Sequence, residues 1–279
     1  MGTHERPGVD VTGTHDNRLV VDALTKSFPQ PGRNRPDLPV LGGVSFTAEP
    51  GEFVSVIGPS GCGKSTVFAM LAGLDHPDSG SVRVGTDTAT AGHCAYMPQK
   101  DLLFPWRTVL DNTVLGLQVQ GVPKAQARER ARALFPVFGL SGFEDARPAE
   151  LSGGMRQRAA LLRTVVQDRE LVLLDEPFGA LDALTRTEMQ TWLQEVWQRY
   201  RWMVLMITHD IREAVYLSDR VVVLSARPAT VRHEVRVDLP RPRELSMMTS
   251  PEFVALEAEL VSVLHEEARR ALDEQRRER

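Results

Sequence analysis

The sequence has little of several features that mark particular classes of protein. Its 279 residues include only two cysteines, Cys62 and Cys94, which offer no disulfide framework and fit a reducing cytoplasm. No apolar run approaches the ~20 residues needed to cross a bilayer, and the longest, such as residues 202–207, have the length of buried strands. The net charge of -4 lacks the basic excess that is typical of nucleic-acid binding. These absences predict a globular chain that does not span a membrane and has no nucleic-acid partner.

The chain divides into three parts by its composition and patterning. Residues 1–18 are polar and lack the apolar segment of a secretory signal, so we predict a disordered lead before a main domain at residues 19–248. Residues 249–279 predict a C-terminal helix, capped by Ser250 and with Pro251 at its first position. Packing on the chain's own domain is the favoured interpretation of this helix, and a regulatory or dimer contact is the alternative. The apolar stripe that supports packing consists of Phe253, Leu256, Leu260, Val263 and Leu264.

Short, continuous apolar runs are typical of strands buried on both faces of a parallel sheet. Runs of this kind occupy residues 53–57, 171–174, 203–207 and 221–224. Two further strands are predicted at residues 19–24 and 44–48, and helices at residues 64–74 and 184–200. Another helical pattern, interrupted by glycine and proline, covers residues 109–119 and 124–138. The sequence therefore predicts an α/β domain with a helical subdomain inserted at about residues 101–160.

A glycine-rich loop separates the first buried run from the helical pattern that follows it. Residues 58–66 fit the pattern G-x-x-x-x-G-K-[ST], in which backbone N–H groups and a helix N-terminus surround phosphate groups. We predict that Lys64 reaches the β- and γ-phosphates of a nucleoside triphosphate and that Ser65 ligates Mg²⁺. A chance glycine turn before a lysine is the alternative, and the preceding buried strand argues against it. The predicted ATP-binding residues are Gly58, Ser60, Gly61, Cys62, Gly63, Lys64, Ser65 and Thr66.

Two carboxylates follow the buried run at residues 171–174. In an open α/β sheet, ligands bind at the carboxyl ends of the strands. Asp175 is therefore predicted to hold Mg²⁺ through water, and Glu176 to polarise the attacking water. A strand that simply ends in polar solvent is the alternative interpretation.

Residues 151–158 read LSGGMRQR and closely resemble the signature of ATP-binding cassette (ABC) proteins. The other landmarks of that family follow its order along residues 19–224. They are Phe28 as the aromatic that stacks on adenine, Gln99 in the Q-loop, Asp182 in the D-loop and His209 as the switch histidine. The resemblance implies a P-loop NTPase fold of the RecA-like type, with a parallel sheet, an antiparallel β edge and the inserted helical subdomain. For Phe28, a place in the core is the alternative to adenine stacking.

The resemblance also implies how the sites are assembled. Two cassettes pair head to tail in this family, so that the signature of one protomer closes on the ATP bound by the other. The residues implied to act on the partner's ATP are Ser152, Gly153, Gly154 and Gln157. His209 is implied to contact the γ-phosphate, and Gln99 to sense Mg²⁺ and the γ-phosphate.

Further stretches resemble the importers of nitrate, sulfonates and taurine. They are residues 102–106, 175–186 and 238–243, together with Arg227-Pro228. This branch implies a homodimer at the cytoplasmic face of the membrane, two transmembrane permease subunits and, indirectly, a periplasmic or lipid-anchored solute-binding protein. A small anionic solute is the expected cargo. The alternative cargo is a thiamine precursor or a riboflavin-like compound. The alternative functions are an exporter subunit and a soluble ABC ATPase that is not involved in transport.

The segment after Gln99 is unusually apolar for a loop. We predict that Leu102 and Leu103 pack beneath the helical subdomain. Phe104 or Trp106 is predicted to line a groove for the permease, because exposed aromatic side chains are common anchors of interfaces.

Overall fold

A computed structural model describes residues 17–30, 32, 36–88 and 92–277, with side chains described up to residue 270. Most of the predicted disordered lead at residues 1–18 lies outside the described residues. The strands are β1 (Leu19–Phe28), β2 (Leu38–Ala48), β3 (Phe53–Ile57), β4 (Ser79–Val84), β5 (Cys94–Met97), β6 (Leu171–Asp175), β7 (Met203–Ile207), β8 (Arg220–Leu224) and β9 (Val231–Arg236). The helices are α1 (Lys64–Leu71), α2 (Val109–Thr113), α3 (Leu115–Val119), α4 (Lys124–Leu134), α5 (Gly153–Val165), α6 (Ala183–Tyr200), α7 (Ile211–Leu217) and α8 (Pro251–Arg277). In this described part, no helix is both long enough and apolar enough to cross a membrane.

The strands form two sheets. The larger has the order β5-β6-β7-β3-β8-β9, in which β9 alone runs antiparallel to its neighbour. The smaller has the order β2-β1-β4 and is antiparallel throughout. This arrangement confirms the predicted α/β fold with a parallel sheet and an antiparallel edge.

The parallel sheet is buried on both faces, as the continuous apolar runs predicted. Successive residues of a strand point to opposite faces, and along β6 Leu171 and Leu173 join one core whereas Val172 and Leu174 join the other. The first core also contains α1 and the antiparallel sheet. The second contains residues from helices α2 to α8. The sheet therefore lies between the antiparallel sheet with α1 on one side and the remaining helices on the other.

Helices α2 to α5 connect β5 to β6, where the helical insertion was predicted. The predicted helix at residues 109–119 is divided at Val114 into α2 and α3. The one predicted at residues 124–138 ends as α4 at Leu134, two residues before Pro136, which has no backbone N–H to continue a helix. Their buried side chains share one core with the parallel sheet. That residues 101–160 act as a separate subdomain remains a prediction.

The C-terminal helix α8 packs on its own domain, against α7, β8 and β9. Phe253 and Leu260 are fully buried there. The hydroxyl of Ser250 accepts a hydrogen bond from the backbone N–H of Phe253 at 3.2 Å, so Ser250 caps the helix as predicted.

Candidate functional site

The order of the parallel strands brings three sequence motifs to one edge of the sheet. β7 lies between β6 and β3, so the loops that follow these strands are neighbours. They carry the phosphate loop after β3, Asp175 and Glu176 at the end of β6, and His209 after β7. A cleft of about 580 Å³ opens here, lined by Phe28, Leu38, Val40, Ser60, Gly61, Gly63, Lys64, Ser65, Thr66, Glu176, His209 and Arg227. Most of the predicted ATP-binding residues therefore share one cleft, while Gly58 and Cys62 are absent from its wall.

The backbone of the phosphate loop depends on glycine. Gly63 has φ of 120°, which side chains rarely adopt, and a Cβ at this position would lie 2.7 Å from Cδ2 of Leu41 and would have to displace it. The ammonium group of Lys64 donates hydrogen bonds to the carbonyl oxygens of Gly58 at 2.8 Å and Pro59 at 3.0 Å. α1 begins at Lys64, so a helix N-terminus and an ammonium charge both face this part of the cleft.

Cys62 belongs to the phosphate loop, and its side chain is buried. Its burial raises the pKa of the thiol, an effect that the nearby Lys64 charge only partly offsets. Because thiolates are the reactive form of cysteine, this side chain is poorly placed for attack by reagents.

Asp175 is a buried carboxylate at the end of β6, with 7% of its surface exposed. Burial raises its pKa, and the adjacent charge of Glu176 adds to that rise. Hydrogen bonds from Tyr96, whose hydroxyl lies 3.2 Å from Oδ2, and from the Ser65 hydroxyl partly offset this effect. A buried carboxylate beside a hydroxyl is a set of hard oxygen donors that fits Mg²⁺, which binds one or two carboxylates together with substrate phosphates.

Glu176 extends from the same strand end towards the cleft. Its φ of 45° is an uncommon value for a non-glycine residue, and strained backbone of this kind clusters at functional sites. Its Oε2 accepts a hydrogen bond from Nε2 of Gln99 at 2.8 Å and lies 3.5 Å from Nδ1 of His209. The structure thus joins the predicted base, the Q-loop glutamine and the switch histidine at one carboxylate oxygen.

Phe28 is the aromatic side chain in the wall of the cleft. Its side chain is 37% exposed rather than buried in the core, and the Lys26 ammonium lies 5.4 Å from the centre of its ring. Leu38 and Val40 line the cleft beside it. An exposed ring between apolar side chains is a suitable surface for stacking a base.

A second groove of about 400 Å³ contains parts of the signature, the Q-loop and the D-loop. It is lined by Gln99, Lys100, Asp101, Leu102, Gly153, Arg156, Gln157, Ala180 and Leu181. Ser152 caps α5 by accepting a hydrogen bond from the N–H of Met155 at 3.2 Å, as predicted. A Cβ at Gly154 would lie 3.0 Å from Cγ2 of Thr185, so α5 and α6 approach closely here.

Two of the resemblance-based residues have clear local roles within the chain. Gln157 is buried and donates a short hydrogen bond to the carbonyl oxygen of Pro177, which links the signature helix to the segment that follows Glu176. Asp182 caps α6 by accepting from the N–H of Thr185 at 3.1 Å, and its hydrogen bonds to Thr185 lower its pKa.

The apolar segment after Gln99 is divided between core and surface. Leu103 is buried as predicted, but Leu102 is 58% exposed, which corrects the prediction that it packs beneath the helices. The reason is local: Leu102 has φ of 45°, and Arg163 donates to its carbonyl oxygen at 2.7 Å, which holds the turn. Phe104 and Trp106 are both exposed, and their rings lie 5.2 Å apart.

Three further residues in or beside the site were not predicted as site residues. Tyr96 donates to Asp175, and nothing in its local sequence marks it. Arg227 belongs to a stretch that was noted only as a feature of the importer branch. Glu213 is buried beneath the loop that carries His209, with Oε2 accepting from Nε2 of Gln190 at 3.0 Å. The sequence feature that could have identified Glu213 is a carboxylate within the largely apolar helix α7.

Glu213→Gln should reduce the pH dependence of stability. Burial raises the pKa of Glu213 from 4.5 to about 7, with a smaller contribution from the charge of Asp210. The folded chain therefore holds this proton to a higher pH than the unfolded chain does, and the stability that Glu213 contributes is lost as pH rises through about 7. Between pH 5 and 8 we expect wild type to lose roughly 2 kcal/mol more unfolding free energy than the variant. Urea unfolding at both pH values measures this, with the exposed Glu188→Gln as control, and equal losses in Glu213→Gln and wild type would contradict it.

Comparison with known proteins agrees with the geometry. The ABC transporter family model matches residues 41–179. An ABC transporter ATP-binding protein of Methanocaldococcus jannaschii is 44% identical, covering 91% of this chain and 94% of the relative. The chain belongs to the ABC transporter family. As an ABC ATP-binding protein it is an ATPase whose hydrolysis is coupled to transport.

Other ABC relatives are import subunits. The formylaminopyrimidine import ATP-binding protein of Halalkalibacterium halodurans is 42% identical, covering 83% of this chain and 92% of the relative. The nitrate import ATP-binding protein of Synechocystis is 40% identical, covering 80% and 87%. Among solved structures, the dimer of the cassette MJ0796 in a post-hydrolysis state with ADP and Pi matches at 26% identity and a TM-score of 0.68, covering 80% of this chain and all of that one. These matches assign the ABC ATPase fold to this chain, and they include ATP-binding proteins that are named for import.

Proposed function

We propose that this chain powers the import of a small anionic solute, such as an aliphatic sulfonate, taurine or nitrate, as a homodimer bound to two permease subunits at the cytoplasmic face of the membrane. The observation that carries the ATPase part is the contact of Glu176 with both Gln99 and His209 at the edge of the phosphate-loop cleft. A thiamine precursor is the alternative cargo, favoured by the relative named for formylaminopyrimidine.

The cleft supplies the groups that ATP hydrolysis requires. Lys64 and the α1 N-terminus favour the β- and γ-phosphates, and Phe28 offers a surface for adenine. Glu176 would accept a proton from the attacking water, and His209, 3.5 Å from it in the same cleft, would contact the γ-phosphate. When Mg²⁺ is bound, it neutralises developing phosphate charge, and Ser65, Asp175 and Gln99 are the residues that would hold it.

A homodimer would complete each ATP site. Ser152, Gly153 and Gly154 begin α5 at a groove separate from the phosphate-loop cleft, so within one chain they have no part in its wall. A helix N-terminus favours an anion, and we propose that it closes on the ATP of the partner protomer. Asp182 and Leu181 lie next to the same groove and would belong to the dimer contact.

Capture from detergent-solubilised membranes tests the transport assignment. The chain should co-purify with a polytopic membrane subunit, and the purified complex reconstituted in vesicles should take up taurine, nitrate or an aliphatic sulfonate when ATP and the cognate binding protein are present. Uptake of formylaminopyrimidine instead would select the alternative cargo. Co-sedimentation with ribosomes or DNA and no membrane subunit would contradict a role in transport.

Trp106→Ala should separate ATP hydrolysis from transport. The 70% exposure of Trp106 leaves its ring available to a partner. The buried Asn112 holds the backbone of the loop that carries Trp106. Its side chain accepts a hydrogen bond from the N–H of Phe104 at 2.7 Å and donates one to the Phe104 carbonyl at 3.1 Å. We expect normal ATPase activity in the isolated subunit and at least about a tenfold loss of assembly with the permease, as for an interface anchor.

The matched control for this prediction is Leu245→Ala, which removes an exposed apolar side chain from the segment that precedes α8. It should leave both assembly and transport intact. Transport at the wild-type rate in Trp106→Ala would exclude a coupling role, and loss of solubility or of nucleotide binding would mean that the ring is structural.

A further inference from the structure

Arg227 lies at the phosphate-loop cleft although it follows β8, and it was noted above only as part of the importer-branch stretch Arg227-Pro228. Its Nε donates a short hydrogen bond to the carbonyl oxygen of Gly61, and its side chain lines the cleft with Lys64. A Cβ on Gly61 would lie 2.6 Å from Nη2 of Arg227, so the guanidinium group is in close contact with the loop. Its positive charge lowers the pKa of the Cys62 thiol slightly, whereas burial raises that pKa by more.

The guanidinium has more donors than this one contact uses. Arginine presents five N–H donors in a planar fork that matches phosphate oxygens. In the described part of the chain, no Asp or Glu forms an ion pair with Arg227, whereas Arg220, seven residues earlier, pairs with both Glu52 and Glu234. Arg227 thus adds a second side-chain cation to a cleft that is suited to anions.

The backbone around Arg227 is held on two sides. Ser225 and Thr230 close a turn, with the N–H of Ser225 donating to the Thr230 carbonyl at 2.9 Å. The N–H of Ala229 donates to the carbonyl of Val40 at 2.8 Å, which ties the turn to a strand of the cleft wall. The position of Arg227 is therefore set by the turn at residues 225–230.

The C-terminal helix reaches this turn through Glu267. This carboxylate is only 1% exposed, and its Oε2 accepts a hydrogen bond from the N–H of Ala226 at 3.2 Å. Its Oε1 pairs with Nε of Arg232 at 3.0 Å and with Nη1 of Arg270 at 2.9 Å. Because a buried carboxylate is costly unless it is paired, the contact of α8 with the turn is a specific one.

We propose that Arg227 is a further nucleotide-binding residue that contacts the phosphates of ATP, and that Glu267 of α8 is the positioning residue that holds it at the phosphate loop. This inference rests on the proposed nucleotide cleft. It gives the C-terminal helix a part in nucleotide affinity beyond its packing on the domain. The contact is with phosphate rather than adenine, because the guanidinium touches Gly61 of the phosphate loop.

Nucleotide titrations of the purified full-length chain test the role of Arg227. In Arg227→Ala the Kd for a fluorescent ATP analogue should rise at least about tenfold, as expected when a charge-assisted hydrogen bond is lost, while the Kd for AMP changes much less. KM for ATP should rise by a similar factor and kcat should change less than about threefold, with partial recovery in Arg227→Lys. Arg236→Ala, at an exposed arginine of β9, is the control and should behave as wild type.

The role of Glu267 is tested by combining variants. Glu267→Ala should raise the ATP Kd in the same direction, and adding it to Arg227→Ala should raise it no further, because both changes remove one interaction. Glu266→Gln, at the exposed neighbour, is the control. A lower melting temperature in Glu267→Ala with unchanged ATP affinity would overturn the positioning role.

Lys64→Ala distinguishes failure of this inference from failure of the proposed site. If Lys64→Ala loses ATP binding while Arg227→Ala retains wild-type affinity, the contact of Arg227 with ATP is wrong and the cleft stands. If Lys64→Ala also binds ATP normally, the cleft is not the nucleotide site and both proposals fail.

Discussion

Glu176→Gln should lose about 10²- to 10⁴-fold in ATP turnover while binding ATP as well as wild type does, because it removes a general base and keeps the side-chain shape. The carboxylate sits where three elements meet, with Gln99 at 2.8 Å and His209 at 3.5 Å from the same oxygen. An amide of equal size preserves the packing at the unusual backbone angle of this residue. It cannot take up the proton that the attacking water releases.

Single-turnover ATPase assays and size-exclusion chromatography with ATP measure this effect. If the homodimer forms around ATP, the variant should accumulate as an ATP-bound dimer, since hydrolysis no longer releases it. Glu188→Gln, at an exposed position of α6, is the matched control and should retain full turnover. Hydrolysis within a few-fold of wild type in Glu176→Gln would mean that another group is the base.

Lys64→Ala should weaken ATP binding itself, by about 10- to 100-fold, as expected from the loss of charged hydrogen bonds to phosphate. Lys64 stands at the first residue of α1 and its ammonium group is held 2.8 Å from the Gly58 carbonyl, within the phosphate loop. The same group bonds the loop's own carbonyls, so its removal also loosens the loop. Both effects lower affinity.

Titration with a fluorescent ATP analogue, beside a thermal melting curve, separates binding from folding. The exposed Lys124→Ala, at the start of α4, should bind ATP normally. An unchanged Kd for Lys64→Ala would show that the loop is not where ATP binds. A variant that melts like wild type and binds ATP poorly would support the site.

Local sequence predicted the strands correctly where a continuous run of apolar residues is itself the part of the strand that becomes buried. Strands β3 and β7 occur at the predicted positions, since each has five consecutive residues, all apolar except Ser55, that are buried on both faces of the sheet. Strands β4 and β9 were missed because they are partly exposed and rich in polar residues. β5 was missed because its four residues, CAYM, include none of the β-branched residues found in the equally short runs at residues 171–174 and 221–224.

The site residues likewise divide into those that a local motif predicts and those that only the folded chain brings together. The phosphate loop, the acidic pair and the cap at Ser152 are local motifs, and their residue types alone predicted their place at strand and helix ends. The contact between Gln99 and Glu176 joins residues 77 positions apart, and no spacing in the sequence predicts it. Tyr96 likewise meets Asp175 only because β5 pairs with β6.

The sequence by itself determined that this chain is an ABC ATPase and which residues form its phosphate loop and acidic pair, because those motifs are contiguous and their chemistry depends on neighbouring residues. Tertiary structure alone decided that β7 lies between β6 and β3, which brings His209 to Glu176. It also decided that Arg227 reaches Gly61 and that Glu267 reaches Ala226. These contacts depend on strand order and on the packing of α8, and both are set by long-range burial of apolar faces rather than by any local pattern.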